Sequence, residues 1–320
     1  MTKPLTNSLM NKPLYGLAGP TASGKTAVAL AAAASLNAEI ISVDSALVYQ
    51  GLDIGSAKPS HQEQAQVVHH LIDCVQPDAS YSVNQFLHDA KKLVTEIQAR
   101  GKNVLFVGGT MLYFKALVQG LSQLPKQDAA IRQRLAIQWD QSNGHQLYQR
   151  LQQLDPVTAE RVKSNDRQRI IRALEVIEQT SRPFSQVLQT AGHIQGLDQP
   201  LALIGLVPND RARLHQRIEQ RFVQMLQDGL IQEVEQLQKD YPHLTEAHSS
   251  MRSVGYRQVW AYLAGQYDQA TLQHKGIAAT RQLAKRQLTW LRNWSDPMVR
   301  LDPFDQPDLA KRCCQLWQQS

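Results

Sequence analysis

The order of apolar and polar positions divides the chain into regions of different pattern. From residue 14 to about residue 121, short apolar runs alternate with longer stretches in which apolar positions recur every three to four residues. The runs predict strands at 14–18, 40–43, 70–75 and 104–107, and the longer stretches predict helices at 24–36 and 83–100, the second capped by a left-handed Gly101. Such alternation is typical of parallel βαβ units with helices on both faces of a sheet.

A helical region interrupts this alternation. Between about residues 121 and 200 the pattern predicts helices at 128–139, 145–154 and 166–179 and no strand. The run 201–207 is apolar and bounded by Pro200 and Pro208, which predicts a return to the sheet. Helices then continue to about Trp294, and the tail beyond it predicts no element. We therefore divide the chain into a discontinuous core, 1–121 with 200–320, and an all-helical insertion, 122–199.

A phosphate-binding motif joins the first predicted strand to the first predicted helix. It matches G-x-x-x-x-G-K-[ST] and consists of Gly19, Pro20, Thr21, Ala22, Ser23, Gly24, Lys25 and Thr26. Its backbone N–H groups are expected to hold a diphosphate or triphosphate, with Lys25 as a point charge and Thr26 as a Mg²⁺ ligand. The motif and the alternating pattern together predict an α/β fold, a P-loop NTPase-like parallel sheet with flanking helices. They leave kinase, ATPase and diphosphate-releasing transferase open.

Two further residues are candidates for chemistry at strand ends. Asp44 follows the second strand at its carboxyl end, where ligands bind in open α/β sheets. Its carboxylate could hold Mg²⁺ through water, act as a general base or cap the next helix. Asp73 is the second candidate for this acidic residue, and it is less well placed because apolar sequence continues after it. Thr110 follows the pair Gly108–Gly109, which suits close approach by a ligand, and taken alone its simplest role is to cap the helix that starts at Met111.

Composition and charge narrow the class of protein. The 320 residues are enough for two domains, and a hydrophobic content of 42% is normal for a folded chain. The three cysteines show no metal-binding spacing, and their odd number argues against a disulfide framework, which predicts a reducing, cytoplasmic compartment. Residues 1–13 do not resemble a secretory signal, and the longest apolar stretch, 27–34, is too short to cross a membrane.

The net charge of +6 is local rather than global. Between Arg252 and Arg300 there are eight basic and two acidic residues, so the whole surplus lies there. In the helix of this segment, cationic Arg281, Lys285 and Arg292 are predicted to lie opposite an apolar face of Leu283, Trp290, Leu291 and Trp294. A second basic group crowds the start of an insertion helix and is predicted to stay exposed: Arg161, Lys163, Arg167, Arg169 and Arg172. Either group could be a solvated surface or a track for phosphate backbones.

Six segments in this order resemble those of the bacterial tRNA dimethylallyltransferases. They are 19–26, 44–49, 108–113, 168–172, 252–257 and 285–292, and the resemblance extends over about residues 14–294. It implies that the loop holds the diphosphate of dimethylallyl diphosphate. It also implies that the dimethylallyl group moves to N6 of adenosine 37 in the anticodon stem-loop of tRNA, with release of diphosphate. We expect adenosine 37 to be flipped out of its stack into a crevice at the carboxyl ends of the strands, at a cost of a few kcal/mol.

The resemblance also assigns roles to residues. Asp44 becomes the catalytic base and Thr110 the residue that holds the amine in line, with Mg²⁺ as the cofactor. The insertion becomes a tRNA-binding domain, and the protein is expected to be a monomer. The positions that match tRNA-contact segments are Asp44, Ser45, Ala46, Leu47, Thr110, Arg132, Gln168, Arg169, Ile170, Ile171, Arg172, Arg252, Ser253, Val254, Gly255, Tyr256, Arg257, Lys285, Arg286, Gln287, Leu288, Thr289, Trp290, Leu291 and Arg292.

Other functions remain open on the residues alone. A small-molecule P-loop kinase would consume ATP and bury an acceptor hydroxyl. Prenyl transfer to free AMP, as in similar plant-type isopentenyltransferases, would use the same leaving group. An RNA-binding module with a regulatory nucleotide site would catalyse nothing. The helical insertion and the basic helix favour a macromolecular acceptor, and the zinc-finger spacing of some eukaryotic family members is absent from the sequence, so no zinc site is predicted.

Overall fold

The computed structural model describes residues 14–319. Along this range the strands are β1 (Leu14–Ala18), β2 (Ala38–Val43), β3 (His69–His70), β4 (Asn103–Gly108), β5 (Leu121–Ser122), β6 (His193–Ile194), β7 (Leu201–Leu206) and β8 (Val299–Leu301). The helices are α1 (Lys25–Leu36), α2 (His61–Gln66), α3 (Val83–Ala99), α4 (Met111–Gln119), α5 (Ala129–Ser142), α6 (His145–Leu154), α7 (Pro156–Arg161), α8 (Arg167–Thr180), α9 (Phe184–Thr190), α10 (Arg211–Gln227), α11 (Leu230–Asp240), α12 (Tyr256–Leu263), α13 (Gln269–Arg292) and α14 (Leu309–Gln318). The first 13 residues, for which the sequence predicts no secretory signal, lie outside the described residues.

A six-stranded parallel sheet organises the larger part of the chain. Its strand order is β3-β2-β4-β1-β7-β8, and every neighbouring pair is parallel. The carboxyl ends of parallel strands meet at one edge of the sheet, so the loops after β1, β2 and β4 lie together there. Because β4 separates β1 from β2, its tip stands between the other two loops. The predicted α/β class with a parallel sheet is confirmed.

One predicted strand is wrong over most of its length. The run 70–75 was expected to pair throughout, but only His69 and His70 pair with β2. Leu71 and Asp73 have φ values of 59° and 54°, which lie in the left-handed region and cannot continue a strand. Val75 then makes an isolated bridge to Tyr49. The apolar residues of this run are therefore used to anchor a loop.

The tail after Trp294 is ordered, although its pattern predicted no element. It contains β8, which extends the sheet beside β7, and α14, which packs against α1. Cys313 and Trp317 are buried there, and the Trp317 indole N–H donates to the carbonyl of Ala202 at 2.9 Å. The facing side of α1 carries Ala29, Ala32 and Ala33, whose small side chains let the two helices approach closely.

The chain divides into two compact units, Met1–Gln119 with Gly196–Ser320, and Gly120–Gln195. The insertion thus begins two residues and ends four residues before the predicted limits, 122 and 199. The return to the core starts early because the amide of Leu197 donates to the carbonyl of Leu117 at 2.7 Å. The insertion has its own core, which includes Leu135, Leu151 and Leu174. It also contains α7, α9 and the antiparallel pair β5–β6, which the helical pattern did not predict.

None of the helices in the described part of the chain combines the length and the apolar character that a bilayer crossing requires.

Candidate functional site

A crevice of about 1090 Å³ opens at the carboxyl edge of the sheet. Its walls are the loop after β1, the loop after β2, one face of α10, the segment before α12 and the inner side of α13. All of these belong to the unit that contains the sheet. Lys25, Thr26 and Asp44, which the sequence placed at separate strand ends, line this one cavity. The predicted phosphate-binding loop and the predicted acid therefore face the same space.

The loop after β1 has the conformation of an anion cradle. Ala22 and Gly24 take left-handed φ values of 62° and 89°. Ser23 and Lys25 fold back onto the loop, because the hydroxyl and the ammonium each donate to the carbonyl of Pro20 at 2.8 Å. No side chain caps the N-terminus of α1. The free amides of the first helical turn are therefore available to an anion.

Asp44 is held at the end of β2 by its own loop. One oxygen of its carboxylate accepts the amide N–H of Ala46 at 2.8 Å, which is a turn rather than a helix cap, since no helix follows until α2. Burial raises the pKa of Asp44 above the ordinary carboxyl range, and the Ala46 amide and the charge of Lys25 offset only part of this rise. A carboxylate of raised pKa is a stronger proton acceptor.

Thr110 connects the tip of β4 to the loop that carries Asp44. Its amide donates to the carbonyl of Val43 at 3.1 Å, and its hydroxyl oxygen accepts the amide N–H of Ser45 at 3.1 Å. The Thr110 hydroxyl therefore joins two loops, whereas the sequence suggested that it caps a helix. Gly108 serves the same contact, because a Cβ there would lie 2.0 Å from the carbonyl oxygen of Val43. The glycine admits the neighbouring backbone of Val43, and it also lines the crevice, as the sequence suggested.

Two arginines of α10 complete the basic wall of the crevice, and neither was predicted from the sequence. Arg217 and Arg221 line the cavity, and a guanidinium nitrogen of Arg217 lies 3.6 Å from the position a Cβ on Gly24 would take. Burial lowers the pKa of Arg221, which the nearby charge of Asp44 partly restores. Arg213, Arg217 and Arg221 recur every fourth residue in a helix that follows β7 directly. That spacing, at the carboxyl edge of the sheet, was the available signal.

Lys25 is the central cation of this wall. Burial lowers the pKa of its ammonium group to about 8, although the charge of Asp44 raises it, and Arg221 lowers it further. Lys25 therefore loses its proton more readily than a solvent-exposed lysine does.

The residues matched to tRNA-contact segments separate into exposed and buried groups. The side chains of Ile170, Ile171, Tyr256, Leu288 and Leu291 are buried, so within these segments the exposed neighbours are the side chains available to RNA. The buried residues pack in the cores beneath their motifs, as apolar positions of amphipathic helices do. Trp290, predicted on an apolar face, is instead exposed. The other exposed residues of these segments are Ser45, Gln168, Arg169, Arg252, Arg257, Lys285, Arg286, Thr289 and Arg292. The partly buried residues are Ala46, Leu47, Thr110, Arg132, Arg172, Ser253, Val254 and Gln287.

Arg132 and Arg172 are bound to a buried carboxylate inside the insertion. Glu175 is fully buried, and its oxygens accept from Arg132 at 3.3 Å and from Arg172 at 2.8 Å. Arg172 also donates to the carbonyl of Pro125 at 2.6 Å. The prediction that all the basic residues of this helix stay exposed is therefore wrong for Arg172. Removing either arginine would leave buried charge less compensated, so both have a structural role.

Tyr256 and Glu233 anchor a loop that lines the crevice. The Glu233 carboxylate accepts the Tyr256 hydroxyl at 2.5 Å and the amides of Ile54 and Gly55 at 2.7 and 3.2 Å. The Tyr256 hydroxyl also accepts the amide N–H of Ser56 at 3.2 Å. Nothing in the sequence pattern pointed to Glu233, because the backbone amides that donate to it lie about 180 positions away. Within the segment 252–257, Tyr256 is therefore a buried residue that helps to hold the loop at 54–56.

The second-ranked acid lies elsewhere. Asp73 pairs with Lys58, which also bonds Asp53 at 2.6 Å, and Asp73 is not among the residues that line the crevice. Residues 14–319 contain no group of three or more histidine, cysteine, aspartate or glutamate side chains able to enclose a metal ion.

Comparison with known proteins gives a consistent result. The model of the family described as IPP transferase matches residues 47–294. A tRNA dimethylallyltransferase of Francisella tularensis subsp. tularensis (strain WY96-3418) is 53% identical over 285 residues, which are 89% of this chain and 92% of the relative. One from Francisella philomiragia subsp. philomiragia is 52% identical over 287 residues, 90% of this chain and 92% of that one.

Solved structures agree with the fold. The full-length tRNA isopentenylpyrophosphate transferase of Bacillus halodurans superposes with a TM-score of 0.68 at 33% identity. The match covers 97% of this chain and 95% of the Bacillus halodurans chain. A eukaryotic dimethylallyltransferase acting on tRNA superposes with a TM-score of 0.73 at 23% identity. The match covers 94% of this chain and 77% of the eukaryotic chain, and at this identity it shows a shared fold alone.

Proposed function

The chain belongs to the IPP transferase family, and from that premise we propose that it transfers a dimethylallyl group from dimethylallyl diphosphate to N6 of adenosine 37 in tRNA. It is a prenyltransferase enzyme by its relatives, most of whose length it matches. The observation that carries the proposal is that Asp44 and a cationic wall of Lys25, Arg217 and Arg221 line one crevice. A base and a leaving-group site thus face the same reacting carbon.

The reaction needs help at both ends of that carbon. The lone pair of an adenine N6 is delocalised into the ring, so the amine is a weak nucleophile. As the N6–C1 bond forms and the C1–O bond of dimethylallyl diphosphate breaks, the N6 proton passes to the Asp44 carboxylate, whose raised pKa suits this role. The electron pair leaves with diphosphate, whose charge is stabilised by the ammonium of Lys25 and the loop amides. Thr110, whose hydroxyl oxygen accepts the amide N–H of Ser45, the residue after Asp44, would orient the amine.

Mg²⁺ fits this site as a diphosphate-bound ion. Mg²⁺ commonly takes one or two protein ligands, several waters and substrate phosphate oxygens, rather than an all-protein cage. Thr26, exposed at the start of α1 and facing the crevice, would supply such a ligand, and no multi-carboxylate cage is present in the described residues. When bound, Mg²⁺ would neutralise charge on the leaving diphosphate.

An RNA acceptor is favoured over a nucleotide by the exposed cations outside the crevice. Lys285, Arg286 and Arg292 are exposed on α13, and Arg167 and Arg169 are exposed in the insertion, the proposed tRNA-binding domain. A kinase acting on a small molecule or an AMP prenyltransferase has no need of such surfaces. We propose that the protein acts as a monomer. We place the protein in the cytoplasm, with its tRNA substrate.

Labelled dimethylallyl diphosphate distinguishes these functions in one experiment. The protein is incubated with the label and either unmodified tRNA or AMP, and in parallel with ATP alone. We expect label to enter tRNA at adenosine 37 and not AMP. Label in AMP would assign the enzyme to free-nucleotide prenylation. ATP hydrolysis without label transfer would assign it to the kinases and ATPases, and binding of RNA without either reaction would leave only a binding module.

We expect kcat/KM for dimethylallyl diphosphate to be bell-shaped in pH, since this parameter reports the free enzyme. Burial lowers the pKa of Lys25 to about 8, so above that pH the ammonium loses the charge that binds diphosphate and kcat/KM falls. Burial raises the pKa of Asp44, so at acidic pH the carboxyl keeps its proton, cannot accept another, and kcat/KM falls again.

Rate profiles of Lys25→Arg and wild type test the alkaline limb. A guanidinium stays protonated through this range, so the limb near pH 8 should move to higher pH in Lys25→Arg, whatever its absolute rate. Lys115→Arg, on the exposed side of α4, should keep the wild-type limb. A limb that remains near pH 8 in Lys25→Arg would assign it to another group.

The exposed cations of α13 should dominate the salt dependence of tRNA binding. Replacing Lys285, Arg286 and Arg292 with glutamine removes charges that release counterions from phosphates, so the slope of log K against log salt should flatten by about 0.7 to 0.9 for each phosphate that is no longer neutralised. Lys311→Gln with Arg312→Gln, exposed on α14, is the matched control and should leave the slope unchanged. An unaltered slope in the triple variant would make the α13 surface a solvated one.

A further inference from the structure

Gln287 differs from its neighbours in the segment matched to tRNA contacts. Lys285, Arg286 and Trp290 are exposed, whereas Gln287 is partly buried and lines the crevice. Its amide oxygen accepts the N–H of Thr21 in the phosphate-binding loop at 2.9 Å. Its amide nitrogen donates to the carbonyl of Gly109 at 3.0 Å. One side chain thus joins the loop after β1 to the tip of β4.

The hydrogen bonds of Gln287 extend to the acid through β4. The strand order places β4 between β1 and β2, so the diphosphate loop and Asp44 share no direct strand contact. Gly109 is followed by Thr110, whose hydroxyl oxygen accepts the amide of Ser45, the residue after Asp44. One connection therefore runs from Thr21 through Gln287 and the β4 tip to the loop that holds the carboxylate, beside the direct bond from the Gly19 amide to the Gly108 carbonyl at 3.2 Å.

The packing around Gln287 leaves the amide little freedom. A Cβ on Gly109 would lie 2.3 Å from the Gln287 amide nitrogen, so the side chain lies directly against the glycine backbone. The amide offers a donor and an acceptor on the same planar group at neutral pH. Methionine has a similar length without either, and an ionised carboxylate keeps the acceptor and loses the donor.

We propose that Gln287 is a positioning residue, which sets the distance between the diphosphate loop and the Asp44–Thr110 pair, and that it is not a contact to RNA. This inference rests on the proposed function, because both positioned groups belong to that reaction. Displacement of reacting groups by about 1 Å can cost on the order of 10²-fold in rate. Loss of the Gln287 bridge should therefore reduce the rate of the chemical step and leave the outer surface of α13 intact.

The test compares Gln287→Met with Gln282→Met, an exposed glutamine on the same helix. Single-turnover transfer is measured at saturating tRNA and dimethylallyl diphosphate, and tRNA affinity separately. We expect Gln287→Met to slow the step by about 10- to 100-fold with unchanged tRNA affinity, and Gln282→Met to behave as wild type. Weaker tRNA binding with a normal saturated rate would make Gln287 an RNA contact, and no change in either would also overturn the proposal.

The Gln287→Glu variant adds a second measurement, the pH dependence of its rate relative to wild type. This dependence would not change if Gln287 only stabilised the fold. When protonated, the new carboxyl can donate to the Gly109 carbonyl and accept from the Thr21 amide, as the native amide does. We expect its rate relative to wild type to rise as pH falls, and a ratio independent of pH would contradict the bridge. This ratio decides the matter if Gln287→Met fails to fold. A wild-type protein that transfers no label to tRNA would refute the proposed function instead.

Discussion

Replacing Asp44 with alanine is expected to slow single-turnover transfer to tRNA by about 10² to 10⁴-fold, the usual size of a general-base effect, and to leave tRNA affinity nearly unchanged. The carboxylate is the acid at the carboxyl edge that lines the crevice beside Lys25, and burial raises its pKa. The amine of adenosine must lose its proton as the new bond forms. The measurement is a single turnover with enzyme in excess over labelled dimethylallyl diphosphate, beside a filter-binding measurement of tRNA affinity.

Asp44→Asn separates proton transfer from loop geometry. An asparagine keeps an acceptor for the Ala46 amide, which Asp44 bonds at 2.8 Å, so the loop should hold its shape while the base is lost. We expect Asp44→Asn to be as slow as Asp44→Ala. If Asp44→Asn transferred at the wild-type rate, or if rate and tRNA affinity fell together in both variants, Asp44 would be a residue that shapes the site and not the base.

Replacing Lys25 with methionine should lower kcat/KM for dimethylallyl diphosphate by about 10² to 10³-fold, as removal of one preorganised donor to a developing anion does. The ammonium faces the crevice, together with Arg217 and Arg221. These two arginines retain part of the positive field, which limits the loss. The measurement is steady-state transfer at fixed, saturating tRNA with varied dimethylallyl diphosphate.

Lys115→Met, from the exposed side of α4, is the matched control for lost charge and should keep the wild-type kcat/KM. Affinity for tRNA should be equal in the two variants and in wild type. A Lys25→Met enzyme with normal kcat/KM for dimethylallyl diphosphate would exclude Lys25 from the leaving-group site. The cationic wall would then consist of Arg217 and Arg221 alone.

Local patterns were sufficient wherever the physics is local. The phosphate-binding loop lies between a buried strand and a helix, and its conformation depends on glycine at position 24, with φ of 89°, so eight consecutive residues predict it. Asp44 was predicted because the carboxyl end of a strand in a parallel sheet is where ligands meet it. The apolar periods likewise predicted the sheet class and the helical insertion, within a few residues at each limit.

Where partners are far apart in sequence, the pattern carried no such information. Arg217 reaches Gly24, Glu233 holds the loop near Gly55, and Gln287 joins Thr21 to Gly109, all across 170 or more positions. A polar residue on an amphipathic helix has the same periodicity whether it faces water or another loop. Cation spacing therefore predicted exposure for Arg172, which instead neutralises the buried Glu175.

The sequence by itself determined the elements next to the phosphate-binding loop and Asp44, together with these two chemical groups, because strand, loop and helix preferences act over a few neighbouring residues. The tertiary structure alone decided what those groups face. Parallel pairing places β4 between the strand that precedes the loop and the strand that precedes the acid, and the return of α10 and α13 over the carboxyl edge supplies Arg217, Arg221 and the Gln287 bridge. Burial of the tail helix on α1 depends on the same long-range packing, which no local period records.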